Sequence, residues 1–119
     1  MTPHPALRFP THAVLIFGLL LLTVLMPVQA EALPSFNLLI RDGRFVPATL
    51  EVPANTKFRL LIKNEGPGAE EFESVELRKE KVLAPGASSF LIFQPIKPGT
   101  YKFFGDFHPD TAQGQLVAK

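Results

Sequence analysis

The stretch "EFESVELRKEK", Glu71 to Lys81, holds four carboxylates, Glu71, Glu73, Glu76 and Glu80. Further along, "DFHPD" sets His108 between Asp106 and Asp110. Carboxylate oxygen with imidazole nitrogen is a donor set for iron, manganese or Cu(II), harder than sulfur-rich sets. If "EEFES" is a strand, Glu71 and Glu73 project to one face, and Glu70, Phe72 and Ser74 to the other. Phe72 belongs to a core, which leaves Glu71 and Glu73 pointing outward or toward a loop. Asp106 and His108 share a parity and could converge on them, with Asp110 and Gln113 near enough in sequence to support such a site. The plainer readings are a solvated strand face, a loop-capping Asp106 and a structural His108. Glu76 and Glu80, four residues apart among Arg78, Lys79 and Lys81, also fit a simple ion-pair face. Adjacent like charges destabilise a strand unless something positive sits between them.

Other chemistries find no residues. The chain lacks cysteine, which excludes thiol catalysis, zinc-thiolate sites and thiolate ligation of copper by this chain alone. No Ser-His-Asp arrangement, nucleophile elbow or phosphate loop is present. In "YKFFGDF", Tyr101, Phe103, Phe104 and Phe107 could line an electron path, although such residues usually belong to a core.

The N-terminal segment stands apart. Ala13 to Met26 reads "AVLIFGLLLLTVLM", uncharged, preceded by Arg8 and followed by "PVQAEA". A basic start, a short apolar run and small residues at −3 and −1 describe a secretory signal peptide over residues 1–30, cleaved after Ala30 or, as the alternative, Ala32. The run is shorter than the roughly 20 residues of a spanning helix. Export to the periplasm is the expectation. Losing Arg8, His4 and His12 leaves eleven basic against eleven acidic residues, with His108 the sole histidine. That balance argues against a nucleic-acid partner.

Residues 31–119 read as one domain of short strands. Asp42-Gly43 between apolar runs is a hairpin or bulge signal. "KFRLLIKN" places Phe58, Leu60 and Ile62 on one face, the period-2 pattern of a half-buried strand. Turns at "PAN", "EGPGAE", "APGA" and "KPGT" recur roughly every ten residues, and the chain's twelve prolines, eight of them in this part, agree with many short strands. Val75 to Lys81 could form a helical turn instead, since Glu, Leu, Arg and Lys are good helix formers. The pattern predicts an all-β Greek-key sandwich or barrel. Nine of eleven phenylalanines lie in this part and supply its apolar area.

"RFVPATLEVPANTKFRLLIKNEGPGAEEF" resembles the first half of a cupredoxin-like domain, and "LAPGASSFLIFQPIKPGTYKFFGDFHPDTAQGQLV" the second half. The likeness covers about residues 35–119. A blue-copper site takes two His, a Cys thiolate and usually an axial Met. Here Glu70 stands where the first His would be, Gly105 where the Cys would be, and Ala112 near the Met position. The loop His remains as His108. A blue electron-transfer site is therefore excluded. "EEFES", "RKEK" and "YKFFGDFHPDTAQG" look like the periplasmic cupredoxin-like proteins that accompany bacterial ferrous-iron permeases.

That resemblance implies a binder of iron or copper, with Glu71, Glu73, Glu80, Asp106 and His108 as metal ligands. It implies help to ferrous-iron uptake by binding, oxidising or delivering iron to a membrane permease. A homodimer in which two half-sites complete one shell stays open. Two other readings are a metal-free adaptor of a membrane transport complex and a stand-alone copper or manganese carrier.

Overall fold

The computed structural model describes residues 1–7, 18–27 and 32–119. The chain divides into two compact units, Met1–Ala30 and Glu31–Lys119. Among the described residues no helix is long and apolar enough to cross a membrane. The expected leader falls partly on residues 8–17 and 28–31, outside the described residues, as does cleavage after Ala30.

The second unit is all-β, as the turn spacing predicts. Its strands are β1 (Ser35–Arg41), β2 (Arg44–Val46), β3 (Thr49–Val52), β4 (Phe58–Asn64), β5 (Glu70–Ser74), β6 (Lys79–Leu83), β7 (Ser88–Phe93), β8 (Gly99–Phe104) and β9 (Gln113–Ala118). They form two sheets, ordered β2-β1-β4-β7 and β3-β9-β8-β5-β6. β1 runs parallel to β4 and β3 parallel to β9, while the other pairs are antiparallel. The Asp42-Gly43 hairpin forms, with φ of 50° and 66° at its two residues. Both lie in the left-handed region that Asp tolerates and Gly adopts freely.

Alternation places Phe58, Leu60 and Ile62 of β4 in the core, facing Phe72 and Phe103 of the other sheet. Phe58 stacks on Phe93 with centroids 4.7 Å apart, and Phe45 meets the Phe103 ring edge-on at 4.9 Å. Fully burying each such side chain contributes about 1.5–3 kcal/mol, which compensates for the missing disulfides. Of the aromatic run, Phe103 is core, Tyr101 packs against it, and Phe107 is exposed.

The helical alternative for Val75 to Lys81 does not hold. The chain makes one turn, closed by the Arg78 N–H on the Val75 carbonyl at 3.2 Å, with Arg78 at a φ of 54°. β6 then pairs with β5, bringing Glu80 opposite Glu73 and Lys81 opposite Phe72. Pairing with β5 overrides the local helix preference. β6 is an edge strand; its lysines border the sandwich, with Lys79 Nζ 5.6 Å from the Phe93 ring centre. Lysines on an edge discourage pairing with another chain.

Candidate metal centre

β5 carries the site because both of its faces are covered. Glu70, Phe72 and Ser74 share the core-facing side, as their parity predicts, and all three are buried. Glu71 faces the other way yet is only 5% exposed. Its cover is the segment from Gly105 to Ala112. Gly105 donates to the Ala112 carbonyl at 3.0 Å, Ala112 to the His108 carbonyl at 2.7 Å, and the Thr111 hydroxyl to the Gly43 carbonyl at 2.6 Å. The loop is thereby fastened to the β1–β2 turn, and the Asp106 N–H donates to Glu71 Oε2 at 3.2 Å.

Glu71, Glu73 and Asp106 each offer a carboxylate oxygen, and these atoms all lie within 4.8 Å of one another. Glu71 is buried, Glu73 half-buried and Asp106 exposed, so the group opens to solvent on one side. Glu80 adjoins them, paired in register with Glu73 and hydrogen-bonded to Glu71. That hydrogen bond first, then repulsion from the Glu71 charge, slight desolvation and the Asp106 charge hold the Glu80 carboxyl above the usual range. The ion pairs among the described residues are Arg41–Glu65, His108–Glu70 and Lys119–Glu51, none of which neutralises this group.

His108 is directed elsewhere. Its Nδ1 lies 2.9 Å from Glu70 Oε1 and 3.1 Å from Oε2. The Glu70 side chain is 4% exposed and that of His108 49%. An ionised carboxylate only accepts, so the hydrogen bond to Glu70 comes from an Nδ1–H, and Nε2 has no partner among the described residues. A carboxylate orienting a histidine in this way is common behind metal-ligating imidazoles. The pair borders a cavity of about 360 Å³ lined also by Asp42, Gly43 and the Gly66-Pro67-Gly68 turn.

Three of the five residues expected to hold metal thus lie in one group, Glu71, Glu73 and Asp106, with Glu80 beside them, and His108 meets Glu70 instead. Glu70 is the participant that pattern reading leaves out. Its place at the first-ligand position of the cupredoxin pattern is the signal that points to it. Glu76 does not join the cluster, its Oε1 lying 3.5 Å from the Lys102 N–H. Asp110 is exposed, and Gln113 Nε2 donates to the Pro109 carbonyl at 2.8 Å.

Copper of the blue type does not fit these residues. A Cβ built on Gly105 would stand 2.5 Å from the Glu71 carbonyl oxygen, so a thiolate-bearing residue has no room there. Both methionines, Met1 and Met26, belong to the first unit. A hard cation fits better, since oxygen donors are already assembled around an uncompensated negative charge.

Fold and site together define a cupredoxin-type sandwich that bears carboxylates and one imidazole in place of a soft copper set. The chain belongs to the cupredoxin-like domain family, whose model matches residues 14–118. It is 51% identical over 78 residues to an uncharacterized protein of Rickettsia prowazekii (strain Madrid E), a match spanning 66% of this chain and 62% of that protein. Auracyanin A, a blue copper protein from Chloroflexus aurantiacus, superposes with a TM-score of 0.61 at 16% identity, covering 71% of this chain and 98% of that one. The metal-binding domain of the Cu(I)-exporting P-type ATPase of Streptococcus pneumoniae D39, solved with Cu(I), gives 0.61 at 14% identity, over 76% of this chain and 91% of that one. At these identities the two structures speak for the fold alone.

Proposed function

We propose that this chain is an exported metal-binding protein that holds iron through Glu71, Glu73 and Asp106, with Glu80 closing the set. The observation that carries this reading is the group of three carboxylate oxygens within 4.8 Å, one of them on a buried residue. Burying a carboxylate beside others is costly without a cation or a shared proton. Iron is the cargo, and oxygen-rich ligation favours the ferric over the ferrous ion. The site therefore holds the ion in its ferric form and passes it to a membrane permease. The resemblance to proteins that accompany ferrous-iron permeases supports the uptake role.

A second reading is favoured by the orientation of His108. Its free Nε2, with Glu70 fixing the ring, suits Cu(II), so copper is the alternative cargo at that end of the loop. Titrating metal-free protein with Fe(III) as a citrate complex, Mn(II) and Cu(II) separates the two. Iron binding lost in Glu71→Gln Asp106→Asn and retained in His108→Ala is expected. Iron binding unaffected by the carboxylate changes, or no iron binding at all, refutes the first reading; copper binding abolished by His108→Ala establishes the second.

A further inference from the structure

The domain following the leader is neutral in sum, with eleven charges of each sign, but the fold sorts them. The four strands of the β2-β1-β4-β7 sheet contain no acidic residue. Their outward positions include Arg41, Arg44, Arg59 and Lys63. The opposite sheet holds all five strand glutamates, Glu51, Glu70, Glu71, Glu73 and Glu80, beside Lys79, Lys81 and Lys102. Among the described residues Arg41 is paired with Glu65 at 2.7 Å, whereas Arg44, Arg59 and Lys63 form no ion pair.

The centre of this cationic face is apolar. Leu61 pairs across the strands with Phe90, Arg59 with Ile92, and Lys63 with Ser88. Phe90 is 55% exposed, and the Arg59 guanidinium carbon lies 5.4 Å from its ring centre. Beside Lys63 a depression of about 310 Å³ has Asn37 and Ser88 on its polar side, with Leu39 and Leu61 on its apolar side.

We propose that this face docks on an anionic lipid bilayer, with Arg44, Arg59 and Lys63 on headgroup phosphates and Phe90 and Ile92 in the interfacial layer. Charge complementarity is the first argument. Juxtamembrane cations gain free energy near anionic lipid, and nothing acidic in these strands opposes it. Long Arg and Lys stems let apolar neighbours sink while the charged heads stay with phosphate, and aromatic rings favour the same layer. The depression favours lipid over an acidic protein, because a cation and hydroxyl beside two leucines match the phosphate and glycerol of one headgroup. Docked this way, the sandwich keeps Glu71, Glu73 and Glu80 on the sheet away from the bilayer. The inference is independent of which metal that cluster holds.

Cosedimentation of the full chain with phosphatidylcholine vesicles, with and without phosphatidylglycerol, tests it. The apolar run at residues 13–26 gives a background common to every variant and both lipids. Binding should rise with phosphatidylglycerol and fall with salt. Removing a cation should lower the anionic-lipid increment about fivefold, so Arg44→Gln Lys63→Gln should lower it about twenty-fivefold with an unchanged melting temperature. Phe90→Ser should lower it too. Lys102→Gln Lys119→Gln, the same charge change away from this face, should leave it intact. No phosphatidylglycerol dependence, or equal losses in the two double variants, overturns the proposal. Retention on polyglutamate-coated beads with none on vesicles overturns it as well and assigns the face to an acidic protein.

Discussion

Gly105 lies directly against the backbone of Glu71, so close that its missing Cβ would stand 2.5 Å from the Glu71 carbonyl oxygen and 3.3 Å from the Ala112 methyl. This approach lets the Gly105–Ala112 loop settle over β5 and bury the Glu71 carboxylate. Gly105 also occupies the thiolate position of the cupredoxin pattern, so metal chemistry and packing meet at one residue. Gly105→Cys should fail to create a blue-copper centre. The added side chain must displace strand backbone, at a cost of about 1–3 kcal/mol for overpacking. Thermal melts should show the destabilisation, and Cu(II) addition should give no thiolate-to-copper band in the visible spectrum. A strong band with an unchanged melting temperature would mean that the loop sits further from β5.

The Glu71–Glu80 hydrogen bond makes the acidic cluster sensitive to pH. Glu80 is held above the usual glutamate range, by that bond and by the Glu71 and Asp106 charges. A carboxyl whose folded value exceeds its unfolded one contributes stability that is complete below the unfolded value and disappears as pH rises through the folded one. Metal-free protein should therefore lose this contribution as pH rises from the ordinary glutamate range through the raised Glu80 value. Glu80→Gln imitates the protonated form and should match the wild type in acid, then melt higher than it once pH has passed the raised Glu80 value. Saturating iron should reverse that order, because the ion gains Glu80 as a donor. Parallel melting curves for the two proteins at every pH would remove Glu80 from the cluster.

The His108–Glu70 pair should behave asymmetrically on mutation. His108→Ala leaves a carboxylate that is 96% buried without its partner, an orphaned group worth about 1–3 kcal/mol, or more if it stays charged. Glu70→Gln keeps a carbonyl oxygen for the Nδ1–H and should lose less. Denaturant midpoints should rank wild type above Glu70→Gln, and Glu70→Gln above His108→Ala. The reverse ranking would show that the negative charge itself, rather than the hydrogen bond, holds the loop.

Much of this architecture was legible in the residues, for physical reasons. Alternation at Phe58, Leu60 and Ile62 marks a strand with one buried face, and Asp42-Gly43 supplies the two positive φ values its hairpin needs. β5 was legible only in part. Period-2 parity separates Glu71 and Glu73 from Phe72, but it cannot show that a loop 35 residues downstream in the fold's second half will cover Glu71. His108 was readable as a site residue, whereas its partner depended on how that loop folds back over the β1–β2 turn. Val75 to Lys81 illustrates the converse, where good local helix formers yield to pairing with β5. The neutral net charge was correct as a sum and silent about its division between the two sheets.

Asn64 ends β4 beneath the turn that leads to β5, and it organises the approach to the whole site. Completely buried, it donates from Nδ2 to the carbonyls of Gly68 at 2.7 Å and of Leu83 and Ala84 at 3.2 Å each. Its Oδ1 accepts the Gly66 N–H at 2.9 Å. One side chain thus ties the Gly66-Pro67-Gly68 turn to the end of β6, and Glu70 enters β5 from that turn. Asn64→Ala orphans the buried Leu83 carbonyl and three partly buried backbone groups at about 1–3 kcal/mol for a buried one, with water reaching the others, so a loss of about 3 kcal/mol is expected. Asn64→Asp keeps the acceptor for Gly66 but points a carboxylate at three carbonyls, and should be at least as harmful. Amide exchange in Asn64→Ala should accelerate first at residues 65–70 and 83–84, with β9 still protected. Uniform acceleration across both sheets would instead make Asn64 a general core residue with no special hold on the metal-side loops.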